Sequence, residues 1–317
     1  MAISVIDPIT LSVDRTRRVL FAPFDIVKWL KLGFCAFLAQ LMEGGANFNY
    51  SSRNYEHGGS GGGPELPERF SDAVGMAWQW LVENYIWGIL IAAALVLLIV
   101  IAVVLSWLKA RGKFMFMDGV VLNRGAIVEP WKRYRSLGNS LFWFYMVYIA
   151  LYLLVMAAMV VGLLAIIWPD IAAGEFGGRA IMGIVLGACT MLPFLLIGGF
   201  IWLLLDDLVI PVMYLRSLGV WAAWGVFGRE ILSGHIGSVI LFWLMRIVIA
   251  IAVAIATLLI CCFTCCLALL PYIGTVILLP LLTFDRCYGL YFLQQYGESW
   301  RFFADEAPVP PQPTPAV

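Results

Sequence analysis

Residues 85–108 read YIWGILIAAALVLLIVIAVVLSWL, a run without a single charged side chain. A helix needs about 20 mostly apolar residues to cross the hydrocarbon core of a bilayer. Comparable runs occupy about 141–168, 180–205 and 238–262. Another, beginning LLPYIGTVILLPLL, covers about 269–292. A shorter candidate lies at about 24–44, FDIVKWLKLGFCAFLAQLMEG, where the uninterrupted apolar stretch starts only after Lys31. One soluble core cannot hide so many such runs. The chain is 62% hydrophobic and 13% charged, whereas soluble domains are about half apolar and a quarter charged. The expectation is an all-α fold, a polytopic six-helix transmembrane bundle over residues 24–296.

The ends read differently. Residues 1–23, with the stretch DPITLSVDRTRRVLFAP, read as an interfacial amphipathic helix, with Asp7 as its cap and Pro8 at its first position. It does not read as a signal peptide, because charges continue to Lys31 and no small-residue cleavage site follows a clean apolar core. Residues 297–317 form a tail ending APVPPQPTPAV, whose composition predicts disorder.

Basic residues gather on the cytoplasmic side of membrane proteins. The N-terminal part carries Arg15, Arg17, Arg18, Lys28 and Lys31. The segment after the second run carries Lys109, Arg111, Lys113, Arg124, Lys132, Arg133 and Arg135. Between the first two runs lie Arg53 and Arg69 against six acids from Glu43 to Glu83. This bias predicts a multi-pass protein of a bacterial cytoplasmic (inner) membrane with both termini inside. The basic segment 109–135 is also suited to anionic lipid heads.

Several function classes lack their signatures. Net charge is zero, with 20 basic and 20 acidic side chains, so no nucleic acid is expected as a partner. The run HGGSGGGPELPE has neither the Lys-Ser or Lys-Thr ending nor the flanking elements of a phosphate loop, and reads as a flexible loop. His57 and His235 fall on opposite sides of the predicted membrane and make no metal site. No Ser/His/Asp set, Walker loop or HExxH helix is present. The expectation is a protein that is not an enzyme, with no cofactor and no metal.

CCFTCC, residues 261–266, ends the fifth run. On a helix Cys261 stacks over Cys265 and Cys262 over Cys266, so one face cannot offer four thiolates to one tetrahedral metal. Helix packing is the expected role. A disulfide at a frayed helix end is the next reading, and a metal the last.

Three blocks repeat an order: an apolar run ending near an acid, a short polar helix, then the next run. They are MFMDGVVLNRGAIVEPWKRYRSLGNSLFWFYM, LDDLVIPVMYLRSLGVWAAWGVFGREILSGHIGSVILFWLM and the truncated TFDRCYGLYFLQQYGESW. They suggest internal helical-hairpin repeats, each with an interfacial helix. Gly219, Ala222, Ala223 and Trp224, followed by Gly234 and Ser238, carry a resemblance. The pattern resembles the integral-membrane domain fused to some glycerophosphodiester phosphodiesterases and to related uncharacterised six-span bacterial families. The resemblance covers roughly residues 15–296. It implies a six-helix membrane domain and no catalytic residue, and the chain has no room for the soluble phosphodiesterase barrel.

Ionisable side chains inside apolar runs are costly and mark candidate sites. Arg246 lies about 12 Å into its run, at 1.5 Å per residue. Asp285 lies at a similar depth in the last run, and Asp207, beside Asp206, lies nine residues before Arg216 on the fourth, a matching height. Arg246, Asp285, Asp207 and Asp206 are thus the candidate intramembrane cluster, with Arg286 and Asp118 nearby. An ion pair that neutralises buried charge is the leading reading, and an ion or lipid-head site the alternative. The chain is therefore expected to be a structural or accessory protein that contacts membrane lipids or another membrane protein. The alternative is a small transporter or channel using the Arg/Asp cluster.

Overall fold

A computed structural model describes residues 3–42, 75, 79, 84–173, 177–264 and 267–303. The Gly-rich run, Cys265, Cys266 and residues 304–317 of the tail lie outside the described residues. Among the described residues every regular element is helical. The helices are α1 Asp7–Phe21, α2 Ile26–Ala39, α3 Tyr85–Val121, α4 Val128–Arg133, α5 Arg135–Ala173 and α6 Gly178–Leu204. A π-helical turn, Leu205–Val209, leads into α7 Ile210–Arg216. Helix α8 Val220–Val226 passes through a second π turn, Phe227–Leu232, into α9 Ser233–Phe263. Helices α10 Ile273–Ile277 and α11 Leu279–Gln294 follow.

Among the described residues four helical stretches are long and apolar enough to cross a membrane: Tyr85–Val121, Arg135–Asp170, Gly178–Arg216 and Val220–Phe263. The expectation of six spans is corrected to four. Helix α2 has 14 residues, about 21 Å at 1.5 Å per residue, against a core of about 30 Å. The run at 269–292 is interrupted. Tyr272 sits at φ 63°, and Leu278 separates α10 from α11. Pro280 opens α11, where its missing N–H is least costly. The resulting α11 has 16 residues, with Asp285 and Arg286 near its middle.

At the N-terminus, Asp7 is the first residue of α1 rather than its cap, and Pro8 lies in the first turn. The hydroxyl of Ser4 accepts from Ile6 N and Asp7 N at 3.3 and 3.2 Å.

The chain forms two compact units. Unit 1 comprises Met1–Glu43, Leu108–Phe142 and Leu203–Val317. It gathers α1, α2, the C-terminal end of α3, the start of α5 and everything from the first π turn onward. Helix α1 packs along α11. Gln295 ties the two ends of the chain together, its side chain accepting from Ser4 N and donating to Ser4 O, both at 2.8 Å. Helix α2 packs against α10 and α11 and against α3. A Cβ on Gly112 would come within 2.5 Å of Ala39 N and Leu38 C, so α3 and α2 touch backbone to backbone.

Unit 2 comprises Gly44–Trp107 and Trp143–Trp202. Within it α5 and α6 form an antiparallel hairpin. Tyr148 donates to Gly198 O at 2.8 Å, and Tyr152 stacks on Phe194 with centroids 4.6 Å apart. Asp170 caps α6 by accepting from Ala180 N at 2.8 Å.

The contact at Gly112 yields a prediction. Gly112→Ala should lower stability by about 1–3 kcal/mol, the usual cost of overpacking. Gly162→Ala, in α5 with nothing within 4 Å, should leave the unfolding temperature unchanged or raise it slightly, since Ala suits a helix better than Gly. Thermal unfolding of both variants in detergent checks the contrast.

Candidate functional site

Pro211 shapes the centre of unit 1. An α-helix bonds each N–H to the carbonyl four residues back, and a π turn to the fifth. Ile210 N–H bonds to Leu205 O, five residues back. The next donor would be residue 211, but proline has none. In this π register that donor would serve Asp206, whose carbonyl therefore has no helical partner. Arg286 of α11 supplies a replacement, its Nη1 donating to Asp206 O at 2.9 Å. At Asp207 O the helix α11 comes close instead. A Cβ on Gly289 would lie 2.8 Å from that oxygen, so glycine permits the approach.

The same π turn aims two adjacent carboxylates at different cations. Asp207 and Asp285 converge on Arg246 of α9. Arg246 Nε and Nη2 donate to Asp207 at 2.6 and 3.1 Å. Its Nη2 also donates to Asp285 Oδ2 at 2.7 Å, and its Nη1 to Asp285 Oδ1. One planar guanidinium thus holds two carboxylates, each by two hydrogen bonds, the geometry that suits Arg and not Lys. Asp206 faces the other way. Lys113 of α3 bonds to its Oδ1, and Arg286 Nη2 lies 3.6 Å from the same oxygen.

The cluster's charges balance, with three carboxylates against Arg246, Arg286 and Lys113. It is packed from one side by aromatic rings. Phe242, one turn before Arg246 on α9, stacks on Tyr288 and Phe292 of α11 with centroids 5.3 and 4.4 Å away. Lys113 is 1% exposed. In the sequence it belonged with the basic segment; its signal was the apolar company of KFMFMDGVV, where a charge is unlikely to be left in lipid unmatched.

Asp118 stays outside this cluster and builds its own. It is fully buried and accepts from Tyr134 OH at 2.8 Å, Tyr214 OH at 3.4 Å, and Arg124 Nη2 and Nε at 3.0 and 3.1 Å. Arg124 also donates to the exposed Glu129 at 2.7 Å. That bond is the main reason the Glu129 carboxyl is held below its ordinary range. Burial pushes the Tyr134 phenol up to about 12, so it remains a donor to Asp118 at neutral pH.

Arg15 closes the end of α3. Its Nη2 donates to Val121 O at 2.7 Å and Val120 O at 3.3 Å, and its guanidinium lies 4.5 Å from the Phe303 ring centroid. A cation at a helix C-terminus meets the negative end of the helix dipole. Nothing in the sequence distinguished Arg15 from the neighbouring Arg17 and Arg18. Its helix face decides the difference, since Arg15 is buried and the other two are exposed.

The remaining candidates do not converge. His235 is exposed, with its ring 5.4 Å from that of Tyr296; His57 lies outside the described residues. Cys261 and Cys262 occupy the last turn of α9. Among the described residues no group of three His, Cys, Asp or Glu could hold a metal. Cys35 is buried, and burial, assisted by the charge of Asp118, pushes its thiol up to about 12.

Two outcomes follow. Arg246→Leu strands the buried Asp207 and the part-exposed Asp285 and should cost about 3–5 kcal/mol. Adding Asp207→Asn and Asp285→Asn to it should recover much of the loss, as read by thermal unfolding in detergent. Iodoacetamide at mildly alkaline pH should modify Cys35 only after unfolding, because the thiolate is the reactive form; peptide mass spectrometry reads this directly.

Comparison with curated proteins and with solved structures gave no match. A family model matches residues 3–297, and by that match the chain belongs to the family of unknown function DUF7544.

Proposed function

We propose that the protein is an integral membrane protein with a structural or accessory role, contacting lipids or another membrane protein, and that it is not an enzyme. The observation that carries this reading is the matching of charge in unit 1. Asp118, Asp206, Asp207 and Asp285 each already accept from Arg, Lys or Tyr. Carboxylates held this way are set for holding helices together rather than for exchanging protons or displacing a leaving group. The apolar windows of the four long helices are almost entirely uncovered by protein, as suits contact with lipid.

The basic segment 109–135 belongs to a bacterial inner membrane's cytoplasmic side under the positive-inside rule. The pairing of Ser4 with Gln295 supports placing both ends of the chain on one side of the membrane, as an even number of crossings requires. The resemblance to the membrane domain of some glycerophosphodiester phosphodiesterases rests on turn and packing residues and brings no reaction with it. No cofactor enters this reading.

A second reading is favoured by one feature. Asp206 and Asp207 sit in a π turn, and such turns are frequent at functional sites. On that reading the Arg246, Asp207, Asp285 and Asp206 cluster serves a small transporter or channel.

Purification in native-lipid particles, with mass spectrometry of what co-purifies, separates the two. The accessory reading expects a stoichiometric protein partner or a retained lipid class, and no ion flux in liposomes. A flux that is abolished by Asp285→Asn would replace it with the transport reading.

A further inference from the structure

Unit 1 buries charged side chains within an apolar core and leaves apolar side chains open on its surface. Lys109, Arg111, Lys113, Asp118 and Asp207 are all buried. On the outside, α2 exposes Ile26 (56%), Val27 (54%), Leu30 (41%) and Phe34 (36%). At 100° per residue these four positions and Lys31 share an arc of about 140° on one side of the helix. The opposite side, including Leu32, Cys35, Ala36 and Ala39, is buried. Helix α2 is therefore apolar on both its protein face and its open face, a pattern that belongs to a helix surrounded by protein or by lipid.

Its register against α3 places the charges and the open apolar face at one level. Lys28 donates to Asn123 Oδ1 at 2.6 Å and lies against Gly125. Leu32 meets Gly119, and Ala39 meets Gly112. Helix α2 thus runs back along the last turns of α3 over eleven residues, about 16 Å at 1.5 Å per residue, or about half of a 30 Å hydrocarbon core. The buried Lys113 and Asp118 of α3 lie along this same length.

The open face is continuous with α10. Trp29 Nε1 donates to Val276 O at 3.0 Å, and Tyr272 OH to Leu30 O at 3.2 Å. Tyr272 also touches Phe34 edge-on at 6.4 Å, and its neighbour Ile273 is 46% exposed. At the other end Phe21 and Phe24 close on Trp29, 5.3 and 5.5 Å away. Aromatic clusters of this kind suit the membrane–water boundary. Lys31, exposed at the edge of the apolar arc, can carry its stem along lipid while its ammonium reaches phosphate heads.

We propose that α2 and α10 form a wedge that enters the acyl chains of one leaflet without crossing the bilayer, so that lipid is the occupant of this face. The inference rests on the reading of the protein as membrane-embedded and names the surface that meets lipid beside the long helices. Anionic phosphate heads match the exposed Lys31 at the border of the wedge.

The test uses the wild-type protein in vesicles of phosphatidylethanolamine and phosphatidylglycerol. A trace lipid carries a photoactivatable diazirine midway along its acyl chain, and peptide mass spectrometry maps the adducts. The expected result is adducts on Leu30, Phe34 and Ile273 as well as on residues 85–104 of α3. The paired substitutions Leu30→Glu and Phe34→Glu should abolish adducts on α2 and leave those on α3 unchanged. Adducts on α3 with none on wild-type α2 would overturn the wedge while leaving the membrane reading in place. So would cross-linking of α2 to a second copy of the chain, or its oxidation by hydroxyl radicals generated in the water phase. Absence of adducts from α3 as well would overturn both.

Discussion

One guanidinium holds the centre of unit 1. Arg246 reaches two carboxylates on two other elements, Asp207 in the π turn and Asp285 in α11. Removing the arginine would leave Asp207 buried without its cation, and removing the acids would leave the guanidinium unmatched among apolar helices. This mutual requirement fixes how α9, α11 and the π turn meet. The close packing of Gly289 on Asp207 and the stack of Phe242 on Tyr288 sit within one turn of it.

The π turn links backbone chemistry to this electrostatic centre. Proline at 211 withholds a hydrogen from the preceding turn, and the helix responds by taking a wider bond at Ile210. The wider turn leaves Asp206 and Asp207 facing different cations, with Arg286 also serving the freed carbonyl. A substitution at Pro211 would therefore act on side chains it does not touch. The separate network around Asp118 follows a different plan, in which two tyrosines and an arginine share one buried carboxylate.

Much of this arrangement could be read in the sequence, for particular reasons. Counting residues from the ends of the apolar runs put Arg246, Asp207 and Asp285 at similar depths, and these three are in contact. Lys113 escaped because a lysine near the end of a span looks the same whether it meets water or an internal aspartate. Arg15 escaped because three arginines within four positions differ only in the helix face they occupy. The six-span expectation failed where hydropathy is blind to backbone breaks. The last run is apolar on average, but Tyr272 and Leu278 divide it, and α2 ends after 14 residues.

The sequence by itself determined the secondary structure and marked the runs long and apolar enough for lipid. Uncharged runs of more than twenty residues must form helices in lipid, because every backbone polar group there has to be satisfied within the segment. It also determined which charges would need partners. The tertiary structure alone decided which partner each charge took, which helices were too short to cross, and which side of α2 was left open. Those outcomes depend on contacts between residues far apart in the chain, such as Gly112 with Ala39 and Arg246 with Asp285. Periodicity records the faces of one helix, but not which other helix will lie against them.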